Sequence, residues 1–282
     1  MSNNLIVRGQ CFSWGQRTYL MGVLNITPDS FSDGGDFSSV VRALDHARKM
    51  ELAGVDIIDV GGQSTRPGAE QIPLDTELDR VIPVVEAIRA ESSIPISIDT
   101  TSAEVAKAAI LAGADIINDI SGGSFDSEML PVIAKCQIPI VIMHIRGNPQ
   151  TMQQYGNYKN LMAEIRCFLD KRINAATSLG IPRRKVIIDP GIGFAKNYKQ
   201  NLEILRRLPE LRRLNCPILV GVSRKSFIGH ILHQPDAKKR VWGTAAACCA
   251  AIFNGADILR VHDVQAIRDV NLVADAIFRN PM

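Results

Sequence analysis

Two acids, an amide and an ammonium recur at comparable places in this chain. Asp99, Asn118, Asp189 and Lys225 each end or closely follow a short apolar run. Carboxylates accept paired N–H donors and an amide both donates and accepts, so the set suits the edge of a flat amino-pyrimidinone heterocycle. Asn25, Arg260 and His262 form a second group that suits an anion, phosphate or diphosphate. A heterocycle slot beside an oxyanion slot implies group transfer with a phosphorylated leaving group. Several of these residues have a plainer alternative. Asp99 or Asp189 could cap a following helix or turn. His144, at the end of an apolar run, reads as structural sooner than catalytic. Arg224 and Lys225 are adjacent, so one is expected in the site and the other on the surface. Asp59 and Asp119 read as residues that orient loops.

Positioning these groups requires strands that end together. Apolar runs rich in β-branched residues alternate with amphipathic stretches along the whole chain. Strands are expected near Tyr19–Leu24, Asp56–Val60, Ile96–Ile98, Ile116–Ile117, Ile140–Met143, Val186–Ile188, Ile218–Val222 and Ile258–Val261. Helices are expected near Val40–Ala53, Thr76–Ala90, Ala103–Ala112, Ser127–Lys135, Leu161–Ser178, Leu202–Arg207, Val241–Phe253 and Val264–Phe278. One junction repeats: Ala53-Gly54-Val55-Asp56, Ala112-Gly113-Ala114-Asp115 and, as a variant, Asn254-Gly255-Ala256-Asp257. Its glycine supplies a left-handed helix cap. Strands apolar on both faces indicate a parallel sheet covered by helices. Eight such units predict an α/β fold, a (β/α)₈ TIM barrel, in a single domain over residues 1–282. Cys11–Ser13 is expected to pair with the start of the first run as a short N-terminal hairpin. A doubly wound open sheet is the alternative, weakened by the lack of a G-x-G-x-x-G turn after the first strand. In a barrel the strand ends share one mouth, and polar groups gather there, while Pro95, Pro139 and Pro217 mark the strand starts.

Composition excludes several classes. Net charge is +3 over 282 residues, with basic residues mostly scattered, which gives no nucleic-acid or membrane surface. The six cysteines form no C-x-x-C pair, so neither a disulfide framework nor a zinc site is indicated. No leader pattern opens the chain and no apolar run spans a bilayer, so a reduced, cytoplasmic protein is expected. Gly221-Val222-Ser223-Arg224-Lys225-Ser226 lacks the phosphate-loop spacing. Met21 to Gly35 begins as a strand and continues as a polar, glycine-rich loop too long for a mere connector.

These blocks resemble the dihydropteroate synthase family of folate biosynthesis along nearly the full length. Asn25-Ile-Thr-Pro-Asp-Ser-Phe-Ser-Asp-Gly-Gly35 is similar to the family's first-loop signature. Asp59-Val-Gly-Gly-Gln-Ser-Thr-Arg-Pro-Gly68 is similar to its second. Asp189-Pro-Gly-Ile-Gly-Phe194, Ser223-Arg-Lys-Ser226 and Arg260-Val-His-Asp263 match further blocks. Gln63 stands where the family often has Glu, and Ile192 and Ala195 replace frequent Phe and Gly. The resemblance implies condensation of 7,8-dihydropterin-6-ylmethyl diphosphate with 4-aminobenzoate, by dissociative loss of diphosphate. It implies a pterin slot of Asp99, Asn118, Met143, Asp189 and Lys225. An aminobenzoate pocket of Phe31, Thr65, Arg66, Pro67, Gly193, Phe194, Ser223 and Lys225 is implied too, shared by sulfonamides through mimicry. Asn25, Thr65, Arg260 and His262 would hold the diphosphate, with Mg²⁺ at Asn25, and Asp99, Lys225, Arg260, His262 and Asn25 would be catalytic. A homodimer is the family expectation, and the run Ala245–Phe253 could serve it or the core. The rival readings are a pterin-dependent methyltransferase on the same barrel and a non-catalytic pterin-binding protein.

Overall fold

The computed structural model describes residues 4–26 and 36–279. Eight parallel strands follow in chain order: β3 (Tyr19–Asn25), β4 (Ile57–Gly61), β5 (Ile96–Asp99), β6 (Ile116–Asp119), β7 (Ile140–Met143), β8 (Val186–Asp189), β9 (Leu219–Val220) and β10 (Ile258–Val261). They form one eight-stranded sheet in which β10 pairs with both β3 and β9. A parallel bridge between Ile188 and Ile218 joins the two sheet edges and closes the barrel. The TIM barrel expected from the alternation is therefore present. Helices α1 (Asp36–Leu52), α2 (Leu74–Glu91), α3 (Ala103–Ala112), α4 (Met129–Cys136) and α5 (Leu161–Ser178) connect the first strands. They are followed by α6 (Tyr198–Arg207), α7 (Ser226–Leu232), α8 (Val241–Phe253) and α9 (Val264–Phe278). No helix among the described residues is long and apolar enough to cross a membrane.

Side chains alternate across each strand. Leu20, Leu24, Ile58, Val60, Ile96, Ile98, Ile140 and Ile142 face outward into the layer under the helices. Tyr19, Met21, Ile57, Ile116, Val141, Ile187, Leu219 and Ile258 fill the barrel interior. Leu5, Val7 and Phe12 join this inner cluster, with Trp14 packed against it. They come from a hairpin of β1 (Asn4–Val7) and β2 (Gln10–Ser13) that closes the floor. That corrects the expected pairing. Cys11–Ser13 pairs with residues 4–6 and not with the first barrel strand, because the left-handed Arg8 and Gly9 make a tight turn between β1 and β2.

The repeated Gly-x-Asp junction has a concrete use. Gly54, Gly113 and Gly255 each take a left-handed φ after a helix. The aspartate two residues on then accepts a backbone N–H from the neighbouring strand. Asp56 takes Leu20 N at 2.8 Å, Asp115 takes Ile96 N at 3.0 Å, and Asp257 takes Ile218 N at 2.9 Å. Three carboxylates thus satisfy strand-start donors at the floor, leaving the opposite end for chemistry. Pro95, Pro139 and Pro217 lie at the same floor and still offer carbonyls to Ile58, Ile117 and Ile188.

Candidate active site

Strand alternation sends Asn25, Asp59, Asp99, Asn118, Met143, Asp189 and Arg260 inward near the C-terminal strand ends. Register aligns them: Asn25 lies opposite Gly61, Gly61 opposite Asp99, and Asp99 opposite Asn118. Met143 is likewise opposite Asp189. The acid, amide and basic groups scattered from Asn25 to His262 converge on one mouth.

Arg260 lies between two acids. Its Nε donates to Asp59 Oδ2 at 2.6 Å and its Nη2 to Asp99 Oδ2 at 2.7 Å. Asn118 Nδ2 donates to the same Asp59 oxygen at 3.1 Å. Asp59 is therefore the junction between the amide and the guanidinium, and it is fully buried. Reading it as a mere loop orienter was wrong. It lies inside β4, two residues before the strand end, and a search confined to strand ends passes over it. The phase Ile57-Asp59-Gly61 was the signal available, since it puts Asp59 on the inward face. Asp119, by contrast, does hold its own loop, accepting from Ser121 and Gly123.

Asp99 caps no helix; Ser102 performs that role for α3, accepting Val105 N. Burial raises the pKa of Asp99 well above the carboxylate range, Arg260 pulls it back, and Asp59 and Glu77 push it further up. Its Oδ1, like that of Asp59, is buried without a protein partner among the described residues. Such an oxygen is costly unless something donates to it. Asp189 partly holds its own turn, accepting Gly191 N at 2.7 Å. Burial raises Asp189 to about 6, with that N–H and Lys225 opposing. Lys225 is lowered to about 8, chiefly by burial and then by Arg260, and its Nζ lies 4.4 Å from the Phe194 ring centroid.

A pH dependence follows for any ligand whose N–H groups need the Asp189 carboxylate. Below about pH 6, Asp189 takes up a proton and one acceptor is lost. The Kd of a pterin analogue is expected to rise as pH falls through 6, by at most about tenfold per unit for one proton. Calorimetric titration of the wild-type and Asp189→Asn proteins between pH 5 and roughly 8 checks it, since Asp99, raised to about 7, titrates in the same window, and an identical profile in both would mean that the Asp189 carboxylate does not face the ligand.

Arg224 and Lys225 divide as expected, since Arg224 pairs with Asp263 at 2.5 and 2.9 Å while Lys225 enters the mouth. His262 Nδ1 lies 3.0 Å from Ser223 Oγ, which also accepts the His262 backbone N–H at 3.1 Å. Burial first, then Arg260 and Arg224, lowers His262 to about 3, so the ring is neutral in the resting site. It can donate a hydrogen bond to an anion but carries no charge of its own there. His144 is buried and neutral, lowered to about 2 by burial, with Lys196 Nζ 3.0 Å from its Nδ1. The structural reading of His144 therefore stands.

The remaining residues take separate places. Phe194 and Met143 belong to a small apolar cluster with Ile120, Ile145, Met152 and Ala195 beside the polar groups. Gly193 packs on Lys225, so closely that an added Cβ would lie 3.0 Å from its Cδ. Thr65 is half-buried and Arg66 and Pro67 are exposed in the loop after β4, with Arg66 near enough to depress the Lys225 pKa. Phe31, with Thr27, Pro28 and Asp29, lies outside the described residues.

A barrel mouth of this kind can be set beside known proteins. The model of a family described as "Pterin binding enzyme" matches residues 21–262. A dihydropteroate synthase of Synechocystis is 58% identical over 95% of this chain and 93% of its own. The structure of Xanthomonas albilineans dihydropteroate synthase with 4-aminobenzoic acid is 40% identical, with a TM-score of 0.92 and all of both chains covered. The same enzyme in complex with 7,8-dihydropteroate gives a TM-score of 0.88 at 38% identity, covering 99% of this chain and 100% of that one. The likeness covers nearly the whole chain, and on that ground the chain belongs to the dihydropteroate synthases among the pterin-binding enzymes.

Proposed function

We infer that this chain condenses 7,8-dihydropterin-6-ylmethyl diphosphate with 4-aminobenzoate, giving 7,8-dihydropteroate and diphosphate. The observation that carries the reading is the unpaired, buried Asp99 Oδ1 inside the acid–amide cluster of a pterin-binding barrel. Asn118, Asp189 and Lys225 supply the donors and acceptors that a pterin edge requires, and Met143 and Phe194 give an apolar wall.

The bond to break joins the pterin methylene to a diphosphate oxygen. Positive charge grows on the methylene and is shared with the ring. The Asp99 carboxylate, fixed by Arg260, is placed to stabilise it, and a fixed charge needs no reorganisation as the reaction proceeds. On the leaving side, Arg260 Nη1 and a neutral His262 can donate to the departing oxygens. The nucleophile is an arylamine, already unprotonated at neutral pH, so no strong base is required. Arg66, from the loop carrying Thr65 and Pro67, acts on Lys225, on which Gly193 and Phe194 also pack, and these residues with Ser223 would line the aminobenzoate pocket.

Mg²⁺ fits this donor set. Asn25 Oδ1 lies against Gly61 next to Asp99, as the 3.5 Å contact to an added Gly61 Cβ indicates. Among the described residues no three or more His, Cys, Asp or Glu gather into a cage. One amide oxygen without such a cage suits an ion held mostly by diphosphate oxygens and water. Bound there, it would neutralise charge on the leaving group.

The α8–α9 face exposes Trp242, Phe253, Leu272, Val273, Ile277 and Phe278, an apolar area that a second copy would cover in a homodimer. Light scattering giving a monomer at micromolar concentration would remove that part. Most of the run Ala245–Phe253 is core instead, with Ala245, Ala247, Cys248, Ala251 and Ile252 buried. A cytoplasmic location accords with the free cysteines.

The test is diphosphate release with and without 4-aminobenzoate. Release matched by dihydropteroate formation is expected when both substrates are present. Pterin binding with no release under either condition would reduce the chain to a binding protein.

A further inference from the structure

Lys196 is almost fully buried, at 4% exposure, and it belongs to none of the groups that would touch a substrate. Its Nζ meets Gly191 O at 2.9 Å, Phe194 O at 2.8 Å and His144 Nδ1 at 3.0 Å, with His144 O farther off at 3.4 Å. The loop it grips is unusual. Gly191, Gly193 and Ala195 alternate in the left-handed region, at φ of 71°, 86° and 52°. Ala195 has a Cβ, so this conformation is held against its own preference. A Cβ at Gly191 would lie 2.0 Å from His144 O, so the end of β7 and the loop after β8 are pressed together. Asn201 adds a second tie, accepting Gly193 N at 2.8 Å.

The far side of this loop reaches the site. Gly193 packs on the Lys225 stem, and the Phe194 ring lies 4.4 Å from the Lys225 ammonium. We propose that Lys196 is a positioning residue for both substrate slots, stapling the 189–195 loop so that Gly193 and Phe194 fix Lys225 against the pterin and shape the aminobenzoate wall. The proposal rests on the reading under Proposed function.

The staple tolerates loss of a proton. As an ammonium, Lys196 donates to its three nearer partners, and His144 must then carry its proton on Nε2. As an amine it donates to the Gly191 and Phe194 carbonyls and accepts from His144 Nδ1–H, so the three nearer contacts persist while the imidazole changes tautomer. Burial brings Lys196 to about 7, with Asp189 raising it and Lys225 and Arg146 lowering it. The groups facing His144 are Lys196 and Arg146, with the Tyr158 and Phe168 rings, and the ring stays neutral throughout.

Lys196→Met keeps the length and removes the donors. Its KM for both substrates is expected to rise about tenfold, with kcat falling less than about threefold, because Asp99 and Arg260 lie on other strands. Unchanged KM values with only a lowered Tm would overturn the proposal. Should the variant not fold, ¹⁵N spectra of His144 in the wild-type protein decide. A neutral ring whose proton moves from Nε2 to Nδ1 as pH rises from roughly 5 to 9 supports the staple, and ordinary imidazolium titration near 6.5 overturns it. Wild-type turnover is measured first. Its absence would sink the functional reading while leaving the spectra to test the staple.

Discussion

Asp99→Asn is expected to lower kcat by about 10²- to 10³-fold while changing pterin Kd by less than about tenfold. The two side chains have the same shape, and an amide oxygen can still accept the Arg260 Nη2 contact that now measures 2.7 Å. The guanidinium therefore keeps its place, while the amide Nδ2 stands where Oδ1 would accept from the pterin, and that exchange accounts for the loss of up to about tenfold allowed in Kd. What disappears is the negative charge of the ionised carboxylate beside the methylene as it becomes cationic, a charge that burial opposes and Arg260 favours. That charge acts in a buried environment where little water screens it, and its loss raises the barrier by about 3–4 kcal/mol. The ground-state pterin is neutral at the methylene and feels the change far less. Single-turnover rates and calorimetric Kd values on the same preparation separate the two effects. Equal losses in rate and affinity would make Asp99 a binding group only, and the dissociative account would fail with it.

How much of this was legible beforehand depends on where each residue sits. All eight barrel strands lie where their apolar runs are, since a strand buried on both faces announces itself by composition. The Gly-x-Asp repeat was visible as a pattern, but its use was not, because the N–H that each aspartate accepts belongs to another strand. The helix α7 escaped notice. It is short and carries Gly229, a poor helix former, over which the Arg240 guanidinium packs so closely that an added Cβ would lie 2.5 Å from it and displace it. The strand-end rule found Asp99, Asn118, Asp189 and Lys225 and missed both Asp59 and Lys196. One lies within a strand and the other past a loop, and each acts on groups distant in sequence. Long-range partners of buried charges are set by topology, and periodicity carries no information about them.

Asp59→Ala is the harsher test of how the site is held. Asp59 Oδ2 receives Arg260 Nε and Asn118 Nδ2, so its removal affects the anion side and the pterin side together. Arg260 would retain Asp99 alone, and Asn118 would lose its acceptor. Removing one partner of a buried ion pair costs about 3–5 kcal/mol, and the surviving Asp99 contact should hold this case near the lower end. Turnover is expected to fall further than stability, because both Asn118 and Arg260 can reorient once the shared oxygen is gone. A loss of about 10³-fold or more in kcat/KM is expected in whatever protein still folds. Asp59→Asn, which keeps an acceptor and loses the charge, should fall between the two. The decisive comparison is a double-mutant cycle with Asn118→Ala. If Asp59 joins the two slots, the effects will be non-additive by about 1 kcal/mol or more. Strict additivity, or near-full activity in folded Asp59→Ala, would return Asp59 to the role of a loop support and leave Arg260 held by Asp99 alone.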